Sequence, residues 1–234
     1  MTISIIIPIY NEAAGLPALL SQSQHWPVLE VVFVDGGSAD QSLSLIQAWM
    51  DRTLEKGAKT PSYRLLVSKK GRGCQMNAGA RVAAGAILFF LHADSLLPDD
   101  CFPAMVQAFC GQCVGGAFRL KIGLDSMGLK WIAMMANLRS ALFGLPYGDQ
   151  GLFVDRGVFQ RLGGYLEIPI MEDVDFIRRL RRQAGKIVLL DKVITTSARR
   201  WNREGIMWAS TRNVILLLLY FMGVAPERLL KWRL

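Results

Sequence analysis

Ile3-Ser4-Ile5-Ile6-Ile7-Pro8-Ile9, closing on Tyr10-Asn11-Glu12, sets the pattern by which the chain is read. A short apolar run ends abruptly in a polar turn. The same pattern returns at Leu29–Val34, closed by Asp35-Gly36-Gly37-Ser38, and again at Arg64–Val67 and Ala86–Leu91. Between these runs lie Glu12–Gln22, Asp40–Met50 and Cys74–Ala84, each long enough for a crossover helix. Buried parallel strands are continuously apolar, and strands alternating with helices imply right-handed βαβ units with helices on both sheet faces. The expected class is α/β, with a mixed, mostly parallel sheet flanked by helices. Ser38 followed by Gln41 reads as a capping box opening the next helix, which places Asp35 at a strand's carboxyl end.

The 234 residues suit one domain with a full core, and 52% hydrophobic against 20% charged residues excludes intrinsic disorder. Lys and Arg number 27 against 19 Asp and Glu, a net charge of +8 that favours phosphates, anionic lipid or nucleic acid as partner. Dispersed arginines without a recognition motif argue against nucleic acid. Met1-Thr2 leads straight into the first apolar run with no basic n-region or cleavage site, so a cytoplasmic chain is expected. The 4 cysteines are expected as thiols, because Cys110-Gly111-Gln112-Cys113 has no second metal-binding pair.

Beyond Leu91 the pattern predicts a helix from about Asp99, a strand near Gly116–Ile122, a Met/Trp-rich segment Met127–Phe143, a strand at Gly151–Val154 and a helix over Glu172–Gln183. The expected organisation is a single domain: a nucleotide-binding half over 1–98, an acceptor and catalytic half over 99–204, and an apolar-basic helical segment over 205–234.

Open α/β sheets bind ligands beyond the carboxyl ends of their strands. Residues expected there are Pro8, Tyr10, Asn11 and Glu12, then Asp35, then Lys69, Lys70, Arg72 and Gly73, then His92 and Asp94. Together they offer an aromatic surface, carboxylates for a base or ribose, cations for phosphate and a ligand for a hard divalent cation. Taken singly, Asn11, Glu12 and Asp35 read equally as caps and turns. Glu172, Asp173 and Asp175 either cap a helix or put a proton acceptor at its start. Gly148-Asp149-Gln150-Gly151 reads as a turn or a substrate loop. Ser197-Ala198-Arg199-Arg200-Trp201 reads as a solvated basic surface or as phosphate pairing beside an indole.

In order, Ile7-Pro8-Ile9-Tyr10-Asn11-Glu12, Val34-Asp35-Gly36-Gly37-Ser38, His92-Ala93-Asp94, Gly148-Asp149-Gln150 and Met171-Glu172-Asp173 resemble the motifs of a family-2 glycosyltransferase of GT-A fold. The resemblance implies inverting transfer of a sugar, typically from a UDP-sugar, to an acceptor hydroxyl, with a Mg²⁺ or Mn²⁺ cofactor. Carried over by motif, the resemblance implies that Pro8, Tyr10, Glu12 and Asp35 hold the nucleoside and that Asp94 binds the metal with His92 beside it, while Arg72, after the third strand, is expected to join the nucleotide site as a cation for phosphate. Asp173 is the general base beside Glu172, while Gly148, Asp149, Gln150, Arg200 and Trp201 shape the donor and acceptor pocket. The chain departs from the pattern twice. Gly36 stands where many relatives carry a second Asp, and His92 opens the motif that usually begins with Asp. A sugar-nucleotide binding protein without turnover is the alternative.

The run Val214–Val224 falls short of the ~20 residues that span a bilayer. With Arg212, Arg228, Lys231, Trp232 and Arg233 around it, 212–234 suits peripheral contact with the inner face of the cell membrane and a lipid-linked acceptor. The alternative, a helix buried against the sheet, is favoured by apolarity on all sides.

Overall fold

The computed structural model describes residues 1–55, 61–111, 113–183 and 185–233, with Glu55, Arg200, Arg203 and Arg233 described in backbone only. Loop residues 56–60, read in sequence as part of a surface connection, lie outside the described set.

Strands β1 (Ile3–Ile9) and β2 (Glu30–Asp35) are buried along their whole length, as both-face-covered parallel strands must be. With β3 (Ser62–Val67) and β4 (Ile87–Phe90) they form the parallel half of an 8-stranded sheet of order β3-β2-β1-β4-β7-β6-β8-β5. The crossovers are α1 (Leu16–Ser23), α2 (Ser42–Glu55) and α3 (Arg72–Val82). The second half adds β5 (Ser95–Leu96), α4 (Cys101–Cys110), β6 (Gly115–Ile122), α5 (Met127–Phe143), β7 (Leu152–Asp155), α6 (Arg156–Arg161), α7 (Glu172–Gln183) and β8 (Ile187–Thr196). Then come α8 (Arg199–Glu204), α9 (Ile206–Phe221) and α10 (Pro226–Arg233). β7 runs antiparallel to β4 and to β6, so the sheet is mixed from that point on.

Two cores sandwich the sheet. On one face Ile5, Ile7, Phe33 and Phe89 pack against Leu16, Leu19, Ile46 and Phe102 from the first two helices and α4. On the other, Ile6, Val34 and Phe90 meet Met76 and Ala80 of α3, Phe159 of α6 and Phe176 of α7. Gly79 lets α3 lie close to the sheet, since a Cβ there would stand 2.5 Å from Ile6 Cγ2.

Several expectations change. Helix α1 starts at Leu16 rather than Glu12, because Pro17 suits a first turn and residues 11–13 are held by the neighbouring loop. The capping box does not form. Ser38 Oγ instead accepts the Asn11 N–H at 2.9 Å, and Asp40 Oδ1 accepts Ser42 N–H at 2.9 Å. The carboxyl-terminal segment is not a helix buried against the sheet: α9 buries only Ala209 and Leu216.

Candidate active site

The loop after β1 is fastened to the loop after β2 on three successive residues. Asn11 N–H donates to Ser38 Oγ, Glu12 N–H to Ser42 Oγ and Ala13 N–H to Asp40 Oδ2, at 2.9, 2.9 and 3.0 Å. Asn11 adopts a left-handed φ of 53° and its side chain accepts the Ala39 N–H at 2.8 Å. Non-glycine residues hold that conformation where the surroundings over-determine it, as at ligand clamps. Among the described residues Met171, with φ 66°, is the other such residue, and it sits immediately before Glu172 and Asp173.

Above these loops opens a cavity of about 650 Å³ lined by Pro8, Tyr10, Asn11, Glu12, Lys70, Arg72, Gln75, His92, Asp94 and Arg199. Lys70 Nζ lies 2.9 Å from Tyr10 Oη and 4.2 Å from the centre of its ring. Arg199 pairs with Glu12 at 2.7 Å, yet burial outweighs this cation and lifts the Glu12 carboxyl above its ordinary range. Asp35 ends β2 beneath this region. Its Oδ2 accepts Gly37 and Ser38 N–H at 2.7 and 3.0 Å, while its Oδ1 is buried with no hydrogen-bond partner among the described residues.

A second, smaller cavity of about 210 Å³ shares Arg72, His92 and Asp94 with the first and continues past Asp149, Asp173, Tyr147 and Trp201 to Asn213 and Leu216 of α9. Those three shared residues stand where the two cavities adjoin. Asp173, at the start of α7, is fixed at both oxygens: Oδ2 accepts Gly148 N–H and Oδ1 accepts Val174 N–H, each at 2.8 Å. Glycine at 148 leaves room for both side chains, since a Cβ there would lie 3.1 Å from His92 Nε2 and 3.2 Å from Asp173 Oδ2. Burial, with Arg72 second, holds the His92 imidazole below its ordinary pKa, so near neutrality it is uncharged. The Glu172 carboxylate raises Arg72 further. Burial likewise pushes the Tyr147 phenol up to about 12.

The expected site residues therefore divide. Pro8, Tyr10, Glu12, Arg72, His92, Asp94, Asp149, Asp173 and Trp201 line the adjoining cavities. Glu172 does not. It is buried and binds Arg72 Nε at 2.7 Å, holding that guanidinium from behind. Gln150 is turned the other way, with Oε1 accepting from Ser140 Oγ at 2.7 Å and Nε2 donating to Phe118 O at 3.0 Å. It fastens the loop rather than facing the cavity. The Arg200 side chain lies outside the described residues; the neighbouring Arg199 is the cation that reaches the cavity. Gln75, Tyr147, Asn213 and Leu216 were not expected there.

The profile of the family described as Glycosyl transferase family 2 matches residues 4–131, more than half of the chain. The chain belongs to glycosyl transferase family 2. A "PGL/p-HBAD biosynthesis glycosyltransferase" of Mycobacterium bovis is 33% identical to this glycosyltransferase over 184 residues, covering 74% of the chain and 67% of the relative. The undecaprenyl-phosphate 4-deoxy-4-formamido-L-arabinose transferase of Aeromonas hydrophila is 36% identical over 114 residues, 45% of the chain but only 33% of that enzyme. Among solved structures, a mannosyltransferase of Pyrobaculum calidifontis in complex with GDP-Man and Mn²⁺ has TM-score 0.71 at 20% identity, over 96% of this chain and 66% of that one. TarS of S. aureus in complex with UDP-GlcNAc has TM-score 0.59 at 18% identity, over 84% and 58%. The fold of this glycosyltransferase is of the GT-A type.

Proposed function

We propose that this glycosyltransferase moves a hexosyl-type sugar from a nucleoside diphosphate donor, a UDP-sugar first, to a hydroxyl of a hydrophobic or lipid-linked acceptor, with inversion, at the cytoplasmic face of a membrane. The observation that carries the reading is the adjacency of two cavities that share Arg72, His92 and Asp94, with Asp173 in the inner one. The outer cavity takes the nucleoside over Pro8 and Tyr10, and Lys70, Arg72 and Arg199 offer positive charge for the diphosphate. The inner cavity takes the sugar and the acceptor hydroxyl.

Among the described residues no three His, Cys, Asp or Glu side chains are grouped so as to hold a metal unaided. A carboxylate at Asp94 beside a neutral imidazole at His92 is nonetheless a donor pair suited to a divalent cation completed by phosphate oxygens. Asp94 and His92 would hold it. The cation's contribution there would be to offset the negative charge that grows on the departing diphosphate. Arg72 shares that task from the protein side.

The Asp173 carboxylate takes the proton of the acceptor hydroxyl. The oxygen's electron pair forms the new bond to the anomeric carbon, and the old bond's pair leaves on the diphosphate. One displacement of this kind, with the acceptor oxygen entering opposite the departing diphosphate, inverts the anomeric carbon. The undecaprenyl-phosphate in the name of the Aeromonas relative supports a hydrophobic acceptor.

The test measures nucleoside diphosphate release together with thermal shifts on titrating nucleotide sugars, with and without Mn²⁺. Asp173→Asn is expected to cut turnover by about 10²–10⁴ while keeping the ligand-induced shift. Turnover like the parent's in that variant overturns the assignment of the base. Ligand-induced stabilisation with no turnover in the parent would favour the non-catalytic binding protein.

A further inference from the structure

Helix α5 is apolar on both sides. Leu129 and Ala133 are buried in a small core with Ala209 of α9 and Trp201, as a surface helix requires. The opposite side carries Met127, Trp131, Met134, Met135, Leu138 and Leu142, all exposed. Their spacing of three and four residues makes one continuous stripe along the helix. Met127 and Trp131 are 82% and 61% exposed, far beyond what isolated surface apolar residues explain.

Helix α9 extends this face. A Cβ at Gly128 would lie 3.4 Å from Ile206 Cγ2, so the starts of α5 and α9 touch there. Directly after Ile206, Met207 and Trp208 are 83% and 66% exposed. Val214, Leu218 and Met222 carry exposed apolar surface further along the chain. The inner side of α9 meanwhile places Asn213 and Leu216 in the wall of the catalytic cavity, so this helix separates that cavity from the apolar face.

A groove of about 1010 Å³ under α5 adds to the picture. Met134 and Leu138 of the exposed stripe form one of its walls, and Lys121, Leu124 and Thr195 form the other. Thr195 and Leu124 also border a neighbouring cavity that reaches Asp94.

Charge selects the occupant. Neither α5 nor α9 contains an Asp or Glu, and α10 has Glu227 alone against Arg228, Lys231 and Arg233. Exposed Lys121, Arg228 and Lys231 stand near these helices, and Trp232 is 66% exposed. Apolar helix surface bordered by tryptophan and cations is the composition of an element lying in the headgroup region of an anionic bilayer. No helix among the described residues is long and apolar enough to cross a membrane. The exposed carboxylates beside the groove, Asp125 and Asp191, are paired with Lys130 and Arg119, which leaves Lys121, Arg228 and Lys231 as the unmatched cations near this face among the described residues.

We propose that α5 and the outer side of α9 together form a surface that docks onto anionic lipid bilayers, with the groove under α5 leading from the bilayer toward Asp94. This deepens the functional reading above by giving the acceptor a route, and its test requires no turnover. The purified chain is sedimented with phosphatidylcholine vesicles and with vesicles of phosphatidylcholine and phosphatidylglycerol, at low and high salt. The chain should bind the anionic vesicles, more weakly at high salt, with a blue shift of tryptophan fluorescence. The exposed-residue variant Trp131→Ser/Trp208→Ser should bind about tenfold less tightly or worse, since one large apolar side chain withdrawn from water is worth roughly that factor. Its melting temperature and nucleotide-induced thermal shift should match the parent's. Equal vesicle binding by parent and variant overturns the proposal. So does failure of the parent to bind anionic vesicles, or a parent dimer that the double substitution turns into a monomer. Vesicle binding without any nucleotide-induced shift would leave the surface standing and remove the transferase reading instead.

Discussion

Replacing Gly148 with alanine would put one methyl group between two side chains at the centre of the site. The added Cβ would stand 3.1 Å from His92 Nε2 and 3.2 Å from Asp173 Oδ2. Unstrained contacts of carbon begin at about 3.5 Å, so each neighbour must retreat by a few tenths of an ångström. The backbone itself does not resist, because Gly148 is not among the positive-φ glycines. The fold should therefore survive at a cost of about 1–2 kcal/mol, the low end of overpacking. Asp173 would suffer more, because its Oδ2 also accepts the Gly148 N–H at 2.8 Å and cannot retreat without lengthening that bond. A misplacement of 1 Å costs on the order of 10² in rate, so a shift several times smaller should lower kcat about tenfold. Gly148 does not line the outer cavity. Nucleotide affinity by thermal shift should accordingly stay within about twofold of the parent's. Nucleoside diphosphate release at saturating donor reads kcat. An unchanged kcat, or lost nucleotide binding in a folded variant, would refute the geometry on which this reasoning stands.

Removing Glu172 tests whether it acts on Arg72 rather than on substrate. Glu172→Ala should cost about 1–3 kcal/mol in chemical denaturation, below the full price of a buried pair because Arg72 is 35% exposed, and should weaken nucleotide binding. A variant that loses turnover while keeping both stability and nucleotide affinity would make Glu172 a participant in the chemistry instead. Gly79→Ala tests the seat of α3: its Cβ would meet Ile6 Cγ2 at 2.5 Å and Val34 Cγ2 at 3.1 Å, so an overpacking loss of about 1–3 kcal/mol is expected. Parent-like stability would show that the helix can slide away from the sheet without penalty.

What the sequence disclosed follows how local its signals are. The apolar runs Ile3–Ile9 and Leu29–Val34 stood out because strands covered on both faces are nearly uniformly apolar, the second forming β2 one residue later than read, and Glu172–Gln183 because its acids and arginines sit at opposite ends. Pro8 was legible at the carboxyl end of β1, and Tyr10, Glu12, His92 and Asp94 because they come just after such strands. Gln150 misled because a carboxamide in a glycine-rich turn looks the same whether it faces a ligand or the interior. Its partners Phe118 and Ser140 belong to elements distant in the chain. Tyr147 and the α9 residues Asn213 and Leu216 gave no signal, because they reach the cavity only through the packing of α5 and α9. The outward stripe of α5 was hidden by its inward one: two apolar sides in one helix blur the periodicity that would reveal either.

Gly36 shows how a departure from the family pattern is absorbed. With no side chain at that position, Gln75 of α3 fills the space: a Cβ on residue 36 would stand 2.9 Å from Gln75 Cδ. The Gln75 amide donates from Nε2 to Ile9 O at 2.7 Å and to Val34 O at 2.8 Å, the last stretches of β1 and β2. One buried carboxamide thus ties α3 to the ends of β1 and β2, and it lines the outer cavity itself. Both amide protons are spent on the backbone, so what Gln75 can turn toward a bound nucleoside is its oxygen, an acceptor. Asp35 Oδ1 is a second acceptor at the end of β2, and it has no partner among the described residues. Under the proposed reading, the Gln75 oxygen would leave an acceptor for the donor groups of a base even though the second aspartate is missing. The absence of that carboxylate changes the charge presented to the nucleoside more than its hydrogen-bonding capacity.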